Sequence, residues 1–209
     1  MTITPLSSKA KKLLIRFDTS PWLKNFYLAG GTALALYYGH RQSVDLDWFS
    51  QKPINTKQLI RKLAAIGTFT LLKEETNMVD GILDGVKVSF MTYPYPLLEK
   101  TKKLHTSLRL ASLKDIAVMK AEAIAGRNTK KDFIDVYTYL HREQSDLQNL
   151  FLLIAKKFKA IHYDFYHLCK SFVYFVDANK EPMPRMIEKI DWKTIKKFFI
   201  KEIKKITVR

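Results

Sequence analysis

The chain has 209 residues, 47% hydrophobic and 27% charged, enough to bury a core of one large or two small domains. Its 36 Lys+Arg against 20 Asp+Glu give a net charge of +16, and residues 100–209 carry 24 of those bases and 12 of the acids, +12 against +4 for the rest. No run approaches a membrane span, no signal-peptide apolar core opens the chain, and the single Cys169 excludes an internal disulfide, so a cytoplasmic protein is expected.

Residues 7–17 read as a helix with Leu13, Leu14 and Phe17 inward. Phe26–Ala29 reads as a short strand feeding Gly30-Gly31. Thr32–Tyr38 reads as an apolar helix, with Gly39 as its left-handed cap. Val44–Phe49 reads as a strand in which Val44, Leu46 and Trp48 face the core. Asp45 and Asp47 then share the other face, about 6–7 Å apart. Aspartate is disfavoured in strands, so two of them among Val, Leu, Trp and Phe point to a functional pair. Glycines let backbone N–H groups approach a phosphate closely, and two co-facial carboxylates suit magnesium.

Thr56–Ile66 is an amphipathic helix. Strands at 68–72, 78–83 and 86–92 follow, the last two joined by a hairpin turn at Asp84-Gly85. Tyr93-Pro94-Tyr95-Pro96 marks a boundary, dividing the chain into an α/β domain (1–96) and an α-helical domain (97–209). Helices are expected at about 113–125, 129–140, 146–159, 163–177 and 191–206, the first opened by a capping box of Ser112 and Asp115.

The string Gly30-Gly31-Thr32-Ala33-Leu34-Ala35-Leu36, then Gly39-His40-Arg41-Gln42-Ser43 and Asp45-Leu46-Asp47, resembles the polymerase-beta-like nucleotidyltransferases. More narrowly it is similar to the AbiEii/AbiGii toxins of bacterial toxin–antitoxin and abortive-infection systems. Lys120 in an alanine-rich helix, then Arg127 and Lys131-Asp132-Phe133-Ile134-Asp135-Val136-Tyr137, extends the resemblance to about residues 26–140. It implies an α+β fold: a polymerase-beta-like core, a mixed sheet with flanking helices, followed by α-helices. It also implies a magnesium- (or manganese-) dependent enzyme that moves NMP from NTP to an acceptor hydroxyl. RNA is the implied acceptor, the tRNA 3′ end among the candidates, and a cognate antitoxin the implied partner.

On this reading Asp45 and Asp47 hold metal, and Gly30, Gly31, Thr32, Arg41, Ser43 and Lys120 hold the nucleotide, with Lys120 and Asp135 completing the catalytic set. Asp135 is either a base-contacting acid or a partner of Lys120 or Arg127. Asp132, in a first helical turn, is explained by the helix dipole alone. For His40 and Arg41 a phosphate contact and a surface-loop role both stand. The third carboxylate usual in the superfamily is missing: Ser89 occupies its place, and Asp84 sits at a turn, so no general base is assigned. A small-molecule acceptor and a decayed RNA-binding module stay open as alternatives. The aromatic stretch His162, Tyr163, Phe165, Tyr166, His167, Phe172, Tyr174, Phe175 reads as core or partner surface ahead of a base-stacking platform. Lys193, Lys196, Lys197, Lys201, Lys204 and Lys205 read equally as an RNA track or a solvated face.

Overall fold

A computed structural model describes residues 5–159 and 164–206. His162 and Tyr163, named above, lie outside the described residues. The chain forms a mixed seven-stranded sheet of order β3-β4-β5-β2-β1-β7-β6. Its strands are β1 (Tyr27–Ala29), β2 (Leu46–Ser50), β3 (Phe69–Glu75), β4 (Met78–Leu83), β5 (Val86–Thr92), β6 (Lys102–Lys103) and β7 (Arg109–Leu110). The helices are α1 (Ser8–Asp18), α2 (Gly30–Tyr38), α3 (Thr56–Ile66), α4 (Leu113–Arg127), α5 (Lys130–Arg142), α6 (Leu147–Lys157), α7 (Phe165–Ser171), α8 (Val176–Lys180) and α9 (Trp192–Lys205). Among the described residues no helix is long and apolar enough to cross a membrane.

One face of the sheet is the apolar one. Leu46 and Trp48 of β2 and Val88 and Phe90 of β5 meet Phe17 of α1 and Leu59 and Leu63 of α3. Their aromatic rings pack edge to face, with centroids of Phe17 and Trp48 5.3 Å apart and of Phe26 and Phe90 5.2 Å apart. Each of α1 and α3 is started by a side-chain cap, Ser7 bonding the amide of Ala10 and Asn55 that of Gln58, worth about 1 kcal/mol each. The C-terminal helices gather around a second cluster in which Phe133 touches Phe172, Phe175, Trp192 and Phe199.

Three expectations change. Val44 precedes the strand and is 55% exposed, because β2 begins only at Leu46. The sheet does not end at Tyr93–Pro96: β7 pairs parallel to β1 through Leu110 and Leu28, and β6 adds the edge. These two-residue strands carry no periodicity that a sequence could display. The helix expected over 163–177 stops at Ser171 and resumes at Val176 as α8. Phe172 and Phe175 are both buried, and a spacing of three residues across a turn carries both into the core.

The hairpin turn is where the sequence places it. Asp84 and Gly85 both have positive φ, +48° and +77°, as a two-residue primed turn requires. That turn fixes the β4–β5 register, which matters for the site.

Candidate functional site

The polar face of β2 opens into a cavity of about 570 Å³. The floor is sheet: Asp47 on β2, Ser89 on β5 and Asp80 on β4 lie in one row, Asp47 paired with Ser89 and Ser89 with Asp80. Residues laterally adjacent in a sheet point to the same face. The walls are Gly31, Arg41, Ser43 and Asp45 on one side, and Lys120, Arg127 and Lys131 from α4 and α5 on the other. Pro184 and Arg185 reach in from the loop before α9.

The two glycines are there for close approach. Gly30 has φ +66°, and a Cβ on it would stand 2.6 Å from Asp47 Oδ2. A Cβ on Gly31 would stand 2.3 Å from Arg41 Nη2 and 3.3 Å from Ser43 Oγ. Any side chain at either place would displace a carboxylate or a guanidinium from the site. The N-cap of α2 is Ala29, which makes no side-chain cap, so among the described residues the first N–H groups of α2 have no side-chain cap at the cavity wall. The positive end of the helix dipole points there, a geometry able to receive an anion.

Thr32 does a different job from the one expected. It is fully buried, and its hydroxyl donates to the carbonyl oxygen of Asp45 and accepts from Ser43 Oγ at 2.9 Å. It pins the segment leading into β2 against α2, rather than offering its hydroxyl to a ligand. The carboxylates of Asp45 and Asp47 make no hydrogen bond or ion pair among the described residues. Burial pushes the Asp47 carboxyl above its usual range, opposed by Lys120 and reinforced by Asp45. It would favour a cation over solvent.

Behind the wall lies a closed ionic cluster. Asp135 is fully buried and accepts from Arg41 through two bonds of 2.7 Å, from Lys120 at 2.7 Å, and from His40 Nε2 at 2.9 Å. Asp132, also buried, accepts from Lys120 at 2.8 Å, from Arg127 at 2.8 and 3.0 Å, and from Thr129 at 2.6 Å. Burial alone would raise both carboxyls; the surrounding cations hold Asp132 and Asp135 well below the usual range. Burial would likewise lower Lys120, and the two aspartates hold it up, so it stays charged. An ionised Asp135 only accepts, so His40 carries its proton on Nε2.

This geometry corrects several expectations. Asp132 is not merely a helix-dipole residue; it is the anchor of Lys120 and Arg127. Asp135 pairs with Lys120, one of the roles expected of it, and with Arg41 and His40, and it does not line the cavity, so it positions these groups. His40 is fully buried and Arg41 is 4% exposed, which removes the surface-loop reading, and His40 does not line the cavity. Lys120 and Arg41 line the cavity. Asp84 bonds Arg16 and the Thr68 amide, away from the cavity.

The reading of the sequence missed Asp80, Lys131 and Arg185. Asp80 was within reach. A two-residue turn at Asp84-Gly85 pairs 83 with 86 and therefore 80 with 89, opposite the very serine that replaces the usual carboxylate. Oδ1 of Asp80 is buried without a partner among the described residues. Arg185 carried no local signal: it arrives because Gln42 donates to its carbonyl oxygen at 2.8 Å and Met186 bridges Arg41.

Comparison with known proteins agrees with the fold. Residues 12–207 match the family model of the nucleotidyl transferase AbiEii toxin, type IV toxin–antitoxin system. The uncharacterized protein aq_aa25 of Aquifex aeolicus (strain VF5) is 40% identical over 185 residues, 86% of this chain and 87% of that one. Two solved structures share the fold. A candidate nucleotidyltransferase from H. pylori has a TM-score of 0.54 at 19% identity, over 95% of this chain and 94% of that one. ANT(2")-Ia, solved with adenylyl-2"-tobramycin, has a TM-score of 0.53 at 11% identity, over 73% of this chain and 99% of that one.

Proposed function

The chain belongs to the AbiEii nucleotidyl transferase toxin family, and from that premise we propose that it moves NMP from an NTP to a hydroxyl of an RNA acceptor, the tRNA 3′ end being the leading candidate. The observation that carries this reading is the placement of Asp45 and Asp47 beside the uncapped start of α2, with Gly30 and Gly31 clearing the approach.

The residues present fit magnesium. The donors are hard carboxylate oxygens, and among the described residues no third acid, histidine or cysteine joins them as a closed metal cage. Magnesium commonly takes one or two carboxylates and completes its shell with substrate phosphates and water. Asp45 and Asp47 would hold it. When bound it would neutralise charge on the triphosphate and polarise the α-phosphorus.

The chain's own groups do the rest. Amides at the start of α2 bind phosphate oxygens. Lys120 and Arg41, fixed by Asp132 and Asp135, face the cavity with charge in a set geometry, the kind of preorganisation that stabilises a developing anion. The acceptor hydroxyl gives its proton to the carboxylate of Asp80 as its oxygen bonds the α-phosphorus. The bond from that phosphorus to the bridging oxygen breaks, and the electron pair leaves with pyrophosphate. Asp80 thus stands in for the carboxylate absent at Ser89, one strand further out, and answers the decayed-module reading with a chemical role.

The deciding experiment incubates the purified protein with total RNA, magnesium and each α-labelled NTP. Label in RNA that is lost in Asp47→Ala supports the reading. Label that appears only on an added aminoglycoside, the acceptor type in the ANT(2")-Ia structure, would replace it with the small-molecule alternative. An adjacent antitoxin gene is the further expectation of the toxin role. Asp80→Asn should lower turnover about a hundredfold while NTP binding holds, the usual scale for a lost general base.

A further inference from the structure

Arg127 lines two cavities. One is the site just described; the other, of about 490 Å³, lies between the end of α4 and the α7–α8 segment. Its lining includes Gly126, Arg127, Asn128, Lys170 and Tyr174. Its volume falls within the range of small-ligand sites. Asn128 is 7% exposed, and its amide nitrogen is committed to the carbonyls of Ile124 and Ser171. Its amide oxygen is buried with no partner among the described residues. Tyr174 is 48% exposed on the same cavity, and Lys170 reaches from it to lie 5.0 Å from the ring centroid of Tyr166, itself 71% exposed. Exposed tyrosines beside lysine and arginine are the surface that single-stranded nucleic acid binds, by base stacking and phosphate contact.

The geometry points to this second cavity as the seat of the acceptor strand. A base next to the reacting end stacks on Tyr174. Lys170 and Arg127 carry the phosphate between the two cavities, and the terminal hydroxyl passes Arg127 toward Asp47. The inference rests on the RNA reading above and adds to it the place where the strand is held.

Gly126 supplies a clean test. It is helical, and a Cβ on it would meet nothing within 4 Å, so a large side chain there fills the cavity mouth without disturbing the core. Gly126→Phe and Tyr174→Ala are made in the full chain, with thermal melting to check folding. Affinity for a 5′-labelled short single-stranded RNA is read by fluorescence anisotropy, NTP affinity by titration, and transfer by label. Each variant should weaken RNA binding about fivefold or more and raise KM for RNA, leaving NTP affinity unchanged. Wild-type RNA affinity and KM in both variants would overturn this assignment while the RNA reading stands. A wild-type protein that neither binds nor labels RNA would overturn the RNA reading itself, and this assignment with it.

Discussion

Asp45, Asp47 and Asp80 on and beside the sheet, and Asp132 and Asp135 on α5, are the same chemical group under opposite conditions. The first three face a cavity: the Asp45 and Asp47 carboxylates make no hydrogen bond or ion pair, and Asp80 keeps a buried oxygen unpaired, among the described residues. The last two are enclosed by Lys120, Arg41, Arg127 and His40, with most of their acceptor capacity filled. A carboxylate left unpaired beside open space is poised for a ligand. One saturated by cations holds those cations in place, and removing it leaves them buried without compensation. Sequence spacing alone presents both sets as acids near glycines or lysines; only the partners tell them apart.

The widest separation between the two sets should appear in activity. Asp47→Ala or Asp45→Ala is expected to cut nucleotide transfer about a thousandfold, roughly 4 kcal/mol of barrier, with urea midpoints near wild type. Because burial holds the Asp47 carboxyl above its usual range, its ionisation opposes folding, so Asp47→Asn should be at least as stable as wild type at neutral pH. A large loss of stability in these variants would erase the distinction.

Asp135→Ala is the converse. It strands Arg41 and Lys120 in the interior, and the expected cost is about 3–5 kcal/mol in equilibrium urea unfolding. Its activity should fall as well, since Lys120 loses its fixed position. Wild-type stability in Asp135→Ala would mean that water reaches the cluster and that it does not organise the site.

Acid should divide the sets again. Asp132 and Asp135 have carboxyls held well below their usual range, so their contribution to stability is whole above the ordinary aspartate value near 3.8. It is lost as pH falls from there toward their lowered values. Asp47 works in the opposite sense, its opposition to folding growing as pH rises through its raised value. Stability measured from pH 6 to 2 should therefore fall steeply at the acid end in wild type, and less steeply in Asp132→Asn, which starts from a lower plateau. Equal slopes would remove the cluster from the account.

How much of this was legible depended on the range of the contacts. The Gly30-Gly31 turn, the left-handed Gly39, the Asp84-Gly85 hairpin and the Ser112 cap are decided within four residues, and a chain read in order displays them. The pairing of Asp47 with Gly30 and of Lys120 with the second segment followed from family resemblance. Thr32 misled because a threonine at a helix start has two uses, and its choice of the Asp45 carbonyl depends on the return of β2 beside β1. Asp80 needed one further count along a hairpin already recognised. Lys131 and Arg185 needed the packing of α5 and the bridge at Met186, which no local pattern encodes.

The smallest expected effect concerns the lysines of α9, although that helix carries six of them against the one acid Glu202. Charge alone leaves α9 equally an RNA track or a solvated face, and it lines neither cavity. Its buried residues Ile195, Phe199 and Glu202 turn toward the second core, and its lysines find local partners: Lys196 bonds Asn179 and lies near the Trp192 ring, and Lys205 pairs with Glu202. The cavity that holds Asp45 and Asp47 has its own bases in Lys87, Lys131 and Arg185. Each phosphate neutralised on a single strand contributes about 0.7 to the slope of log affinity against log salt. Neutralising Lys197, Lys201 and Lys204 together should leave that slope almost unchanged, whereas neutralising Lys131 and Arg185 should flatten it by about 1.4, two contacts' worth. The measurement is RNA affinity across a salt series. A slope that follows α9 would extend the RNA path across the second core; a slope that follows Lys131 and Arg185 brings it past the rim above the unpartnered aspartates.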